Sequence, residues 1–109
     1  KPALVGPGTD GATITARYLT PHTVHRAMAV TGGITLAVAA RLPGTVAAPL
    51  AAGEGAEVRI AHPAGTLSIG LSMEGDMVRW ASVLRTARRI FEGHLWVPRT
   101  AAALSMAAE

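Results

Sequence analysis

At 109 residues the chain has room for one domain and little more. Half of it is hydrophobic and 16% charged, which excludes a disordered polypeptide, and a net charge of +3 falls short of a nucleic-acid-binding composition. With no cysteine it has no disulfide, no thiolate nucleophile and no thiolate-ligated zinc. Aromatic residues make up only 4%, so Ala, Val, Leu and Ile must fill the core. Twelve Gly and seven Pro point to short elements joined by tight turns. Lys1 in place of an initiating Met, with no basic-then-apolar leader after it, leads to the expectation of a piece excised from something longer.

In chain order, Lys1 to Gly11 is rich in Pro and Gly and reads as a loop, with a short strand at Ala3–Val5. Ala12 to Leu19 alternates Thr13, Thr15 and Arg17 with Ile14, Ala16 and Tyr18, the period of a half-buried strand. Thr20-Pro21 has the form of a helix start, a hydroxyl cap followed by a residue that needs no amide donor. From there a single long helix is expected to run to Leu42, with Val30, Ile34, Val38 and Leu42 at four-residue spacing. Its other face, with Ala29, Leu36, Ala37 and Ala40, is also small or apolar, so the helix should be wrapped by other elements. The uncharged run Ala27–Ala40 has 14 residues, against the roughly 20 needed to span a bilayer, so burial in a core is the better reading.

Pro43-Gly44 should stop the helix, after which the periodicity changes to two. Val46–Ala48 is expected to be a strand, and Ala51–Gly55 a loop of small residues. Glu57–His62 and Thr66–Met73 both alternate around Pro63-Ala64-Gly65, which makes a hairpin. Glu74-Gly75-Asp76 turns the chain into another strand, Met77–Leu84, and Ile90–Val97 resumes the alternation around Gly93. The Ala-rich stretch 99–109 reads as a tail beyond a single domain at 1–98. One helix cannot cover both faces of such a sheet, whereas a curved sheet can wrap one helix. The expected class is therefore α+β, a curved, mostly antiparallel sheet wrapped around one long central helix.

Several words along the chain occur together in a known order. They are His25-Arg26-Ala27-Met28-Ala29-Val30-Thr31-Gly32-Gly33, Leu42-Pro43-Gly44-Thr45-Val46, His62-Pro63-Ala64-Gly65, and Arg85-Thr86-Ala87-Arg88-Arg89 followed by Glu92-Gly93 and Val97-Pro98. This series resembles the C-terminal part of the PrpF family, which includes methylaconitate cis–trans isomerases and oxalomesaconate tautomerases. The resemblance implies half of a diaminopimelate-epimerase-like fold, in which two similar domains each wrap a sheet around a helix. It implies cofactor-independent proton transfer on small unsaturated di- or tricarboxylic acids, in a cytoplasmic protein, with the acid and base in an N-terminal domain outside this sequence. The partners it implies are a small carboxylic acid and that missing domain. An apolar half-fold is also expected to associate with a second copy, while the scarcity of aromatics beside the arginines and the shortness of the apolar run leave neither nucleic acid nor membrane among the expected partners.

Relatives carry Ser-Met-Gly ahead of the His-Arg/Lys-Ala word, and by resemblance that stretch holds a substrate carboxylate at a helix N-terminus. The matching positions are Thr20, Pro21 and His22, with Thr23 and His25 beside them. Pro21 removes an amide donor, and the ring of His22 replaces a glycine that would let a ligand reach the backbone. The alternative for this stretch is an ordinary Thr-Pro cap with a surface histidine. His22 and His25, three apart, could share a helical turn as metal ligands, but no third ligand follows at suitable spacing, so no metal is expected. Thr31-Gly32-Gly33 lacks the lysine of a phosphate loop, and close packing of the strands is the favoured account of its glycines. Arg85, Arg88 and Arg89 form the densest basic patch. Arg85 is a candidate for a second substrate carboxylate, and salt bridges to Glu92 or Asp76 are the simpler role of the patch. Beside the isomerase reading stands a non-catalytic alternative, a truncated or self-associating half-fold.

Overall fold

A computed structural model describes residues 1–96. Among the described residues there are five strands and one α-helix: β1 (Ala3–Pro7), β2 (Ile14–Tyr18), α1 (Val30–Ala39), β3 (Glu57–His62), β4 (Gly65–Glu74) and β5 (Met77–Val83), with a 3-10 turn at Ala48–Leu50 before β3. The strands form one sheet in sequence order, β1-β2-β3-β4-β5. All neighbours are antiparallel except β2 and β3, which run parallel through two register pairs, Ile14↔Ile60 and Thr15↔Ala61. α1 is the crossover between those two strands, so the centre of the sheet is a β-α-β unit.

Alternation decides which side of each strand meets the helix. Ile14 and Ala16 of β2, Val58 and Ile60 of β3, and Leu67, Ile69 and Leu71 of β4 are buried, while Arg17, Glu57 and Arg59 face solvent. The expected α+β class and mostly antiparallel sheet are therefore found. Among the described residues the sheet is open, with β1 and β5 at its edges.

The helix differs most from expectation. It has ten residues, and its first is Val30 in place of Thr20. Thr20 does not cap helix amides: its hydroxyl and its amide both donate to the carbonyl of Thr23, at 2.7 and 2.9 Å, and Leu19 bridges Val24. A β-branched hydroxyl that bonds nearby backbone offers the chain a turn in place of a helix, and Thr20, Thr23 and Val24 are all β-branched. The buried stripe also falls elsewhere. Gly33, Leu36, Ala37 and Ala40 meet the sheet, at the i, i+3, i+4, i+7 spacing of one helical face. Ile34 and Val38 are only half-buried, and Val30 is 40% exposed. The line of smallest residues faces inward because it lets helix and sheet approach closely.

The glycine pair shows how closely. A Cβ on Gly33 would stand 2.7 Å from Cδ2 of Leu67, and one on Gly32 would stand 2.7 Å from Cε2 of Tyr18. The packing account of Thr31-Gly32-Gly33 therefore holds, at the first turn of the helix.

Two expected strands are not found among the described residues. Val46–Ala48 leads instead into the 3-10 turn, where the Thr45 hydroxyl donates to the Ala39 carbonyl at 2.5 Å and accepts the Ala48 amide at 3.2 Å. Residues 90–96 of the last expected strand have no regular structure, and its end and the Ala-rich tail lie outside the described residues.

At the far end of the helix, Arg41 binds three carbonyls of the segment entering β3. Its Nη1, Nε and Nη2 donate to Gly53, Gly55 and Glu57 at 2.5, 3.2 and 3.3 Å. This planar donor fork fixes the loop that follows the 3-10 turn. Among the described residues, no helix is long and apolar enough to cross a membrane.

Candidate functional site

Because β2 and β3 are parallel, their C-terminal ends lie at the same end of the sheet. The helix that follows β2 starts at that end too. In an open sheet with a crossover helix, this is where strand ends, loop backbone and helix amides converge, and where ligands usually bind.

The connection from Tyr18 to Val30 is built from short backbone bonds. The amide of His25 donates to the carbonyl of Tyr18 at 2.8 Å, returning the chain to the end of β2 after the Thr20–Thr23 turn. The amide of Ala27 donates to Nδ1 of His25 at 3.1 Å, so Nδ1 is an acceptor and the ring's proton sits on Nε2. The rings of Tyr18 and His25 meet edge to face, with centroids 6.4 Å apart. Met28, buried in the core, pins the connection just before the helix.

The β3–β4 turn meets this connection. The amide of Ala64 donates to the carbonyl of Arg26 at 2.9 Å, and it also lies 3.3 Å from Nδ1 of His62. Two of the sequence words, His25-Arg26-Ala27 and His62-Pro63-Ala64-Gly65, are thus joined by one backbone bond.

The helix opens beside them without a side-chain cap. Ala29 is its N-cap residue, and the first internal bond runs from the Gly33 amide to the Ala29 carbonyl at 2.8 Å. The amides of Val30, Thr31 and Gly32 precede that bond and have no acceptor within the helix. A groove of about 400 Å³ runs from this first turn along β1, lined by Ala3, Val5, Tyr18, Thr31, Gly32 and Thr35 among others.

Of the expected site residues, Thr20, Pro21, His22, Thr23 and His25 all lie in the β2–α1 connection. His22 and His25 are exposed and share no helical turn, which removes the geometric basis for a metal pair. The helix N-terminus falls instead at Val30–Gly32. Arg85 follows β5 by two residues, exposed, and is not drawn into this cluster; among the described residues no hydrogen bond or ion pair holds it. In its neighbourhood Arg89 pairs with Glu92 at 2.7 Å, as the simpler role for the basic patch anticipates, while Glu74 pairs with Arg79. Sequence reasoning missed Tyr18 and Ala64. Tyr18 reads as one more strand residue, and nothing in the order of the words says that Ala64 meets Arg26.

Comparison with known proteins gives one consistent result. Residues 6–98 match the model of the family described as PrpF protein. The chain is 41% identical over 101 residues to Escherichia coli (strain K12) YbhH, named as an isomerase, covering 90% of this chain and 29% of that protein. It is 37% identical to the (4E)-oxalomesaconate Delta-isomerase of Novosphingobium sp. (strain KA1), covering 89% of this chain and 28% of the relative. The crystal structure of a methylitaconate-delta-isomerase superposes with a TM-score of 0.68 at 28% identity, over 90% of this chain and 29% of that one. The chain therefore spans less than a third of the length of these proteins. Its fold, the order of its sequence words and these matches agree: the chain belongs to the PrpF family.

Proposed function

We propose that this chain works as part of a PrpF isomerase or tautomerase that moves a proton on a small unsaturated di- or tricarboxylic acid, without a cofactor. Its share of the work is to hold a substrate carboxylate, while acid and base come from the remainder of a longer protein. Its open sheet with a helix on one side is half of a diaminopimelate-epimerase-like fold. The single observation that carries this reading is the convergence at one end of the sheet of the uncapped start of α1, the His25–Ala27 segment and the Pro63-Ala64 turn.

The chemistry suits an anion. Helix-terminal amides and the helix dipole favour negative charge. His25, with Nδ1 already engaged by the Ala27 amide, leaves Nε2 as a donor. Thr20 and Thr23 line the same connection, with their hydroxyls 3.1 Å apart. These groups bind and orient a carboxylate; none of them is an obvious proton acceptor for a carbon acid. The printed names of the relatives point to the same substrate class, among them a 3-methylitaconate isomerase and 2-methyl-aconitate isomerases.

Titration of the chain with trans-aconitate, followed by amide NMR, tests the assignment. Saturable shifts are expected at Val30–Gly32, His25 and Thr23. Shifts confined to other regions, or none at all, would reject the carboxylate site. Turnover of aconitate-like acids by the 109-residue chain alone would reject the placement of acid and base outside it.

A further inference from the structure

The face of the sheet turned away from α1 carries a polar cleft. Alternation puts Thr15 and Arg17 of β2 on that face, opposite the buried Ile14 and Ala16. Thr15 pairs with Ala61 and Ala61 with Thr66, so two threonines flank one methyl group across three strands. Gly6 stands beside Thr15 on β1 and adds no side chain to that row. The cleft over this floor has a volume of about 360 Å³, and Asp10, Arg17 and His62 line it as well.

Three of these groups lack the partners their chemistry calls for. Oγ1 of Thr15 is buried and makes no hydrogen bond, which is uncommon for a buried hydroxyl. Arg17 donates from Nη1 to the adjacent Ala16 carbonyl at 3.0 Å, but among the described residues no carboxylate pairs with it. Asp10 lines the same cleft and likewise has no ion pair among the described residues.

The backbone keeps these two charges apart. The Thr9 carbonyl accepts the Ala12 amide at 2.9 Å, and Asp10 and Gly11 between them have φ of 52° and 76°. That is the pattern of a type I′ turn, which aspartate followed by glycine suits. The turn sets a carboxylate ahead of the start of β2, while Arg17 lies near its end. A simple anion in the cleft would meet Asp10 as well as Arg17, and a simple cation the reverse. A molecule that carries both signs satisfies both groups.

We propose that this cleft binds a small zwitterion, a carboxylate and an ammonium on one short chain. The carboxylate takes Arg17 and the Thr15 hydroxyl, and the ammonium takes Asp10. His62, with Nδ1 engaged by the Ala64 amide at 3.3 Å, leaves Nε2 as a further donor for the carboxylate. This goes beyond the isomerase reading, and none of Asp10, Thr15 or Arg17 belongs to the carboxylate site at the start of α1.

Amide NMR of the 109-residue chain tests it with glycine, 4-aminobutanoate and 6-aminohexanoate, whose two charges lie progressively further apart. Butanoate and butylammonium, each with one of the charges, are the controls. At least one zwitterion should give saturable shifts at Gly11, Thr15, Arg17 and Thr66, with a Kd about tenfold or more below that of either control. No saturable shift there with any of the three would overturn the proposal. A control that binds as well as the best zwitterion would also overturn it, because the cleft would then read a single charge. Arg17→Gln, and Asp10→Asn, which keeps a residue suited to the turn, should each weaken that zwitterion about tenfold. Thr15→Val removes the unpartnered hydroxyl and keeps the shape, so it should leave the urea midpoint unchanged or raised and still weaken binding about fivefold. Unweakened binding in these three variants would overturn the assignment. The trans-aconitate shifts at Val30–Gly32 are read from other residues, so either site can fail while the other stands.

Discussion

The amide of Ala64 donates to the carbonyl of Arg26, so the β3–β4 turn holds the connection that leads into α1. Ala64→Pro removes that donor and leaves the Arg26 carbonyl without its partner. The expected cost is about 1–2 kcal/mol of unfolding free energy, read from the urea midpoint, with faster hydrogen exchange at His25 and Ala27. Ala64→Gly keeps the donor and should lose well under half as much. Equal losses for the two variants would show that the bond contributes nothing particular.

Gly33 faces Leu67 across one of the two closest approaches between helix and sheet. Gly33→Val should destabilise by about 2 kcal/mol through overpacking, even though glycine is a poor helix former. Shortening the opposing side chain, as in Gly33→Val with Leu67→Ala, should return part of that loss. A double variant whose loss equals the sum of the two singles would mean that the side chains do not press on each other.

Ile60 is fully buried where β3 meets both β2 and the helix side of the core. Ile60→Ala should cost about 3 kcal/mol, within the range for a large-to-small change at such a site. Thermal unfolding followed by circular dichroism would check it.

Arg41 joins the end of α1 to the chain entering β3 through three carbonyls. Arg41→Lys keeps the charge but cannot reproduce the planar fork, and should lose about 1 kcal/mol; Arg41→Ala should lose about 2. If lysine matches arginine in the urea midpoint, the geometry of the fork is irrelevant and charge alone acts there.

In a longer PrpF protein containing this chain, the proposed site has His25 bind substrate without moving the proton, so His25→Ala should raise KM for an aconitate-like acid about tenfold with little change in kcat. His22→Gly, with Pro21→Met, should lower KM by opening the backbone of the connection. An unchanged KM in both variants would remove the connection from the substrate site.

The central strands were legible because each buries one face. Val58 and Ile60 alternate with Glu57 and Arg59, and Leu67, Ile69 and Leu71 with their polar neighbours, so β3 and β4 are found within a residue of where alternation puts them. The start of the helix was not legible. Thr20-Pro21 is as good a turn as a cap, and only the bond from Thr20 to Thr23 tells the two apart. The facing of the helix was hidden for a related reason. Hydrophobicity favours Val30, Ile34 and Val38, whereas the closeness of the sheet selects Gly33, Ala37 and Ala40. For the candidate site, His25 and the Thr20–Thr23 stretch could be named from family words. The joining of Arg26 to Ala64 depends on parallel pairing between β2 and β3, which leaves no local mark in either strand. The segment 90–96 alternates like a strand, but alternation does not say whether a partner lies within the same chain.

The two register pairs between β2 and β3 also bear on how the sheet assembles. β1 and β2 form a hairpin, and β3, β4 and β5 a meander, so every other pairing in the sheet joins neighbours in sequence. Only the β2–β3 seam, reinforced by the Thr13 amide donating to the Arg59 carbonyl at 2.8 Å and the Arg59 amide to the Thr13 hydroxyl at 3.1 Å, must close the long stretch that contains α1. Loop closure of that length is the slow kind of event in folding. The rate should accordingly be set at Thr13, Ile14 and Ile60, with hairpin and meander formed early and the helix trapped between them as the seam shuts. The parallel pairing that gathers the candidate site at one end of the sheet is then also the last part of the sheet to form.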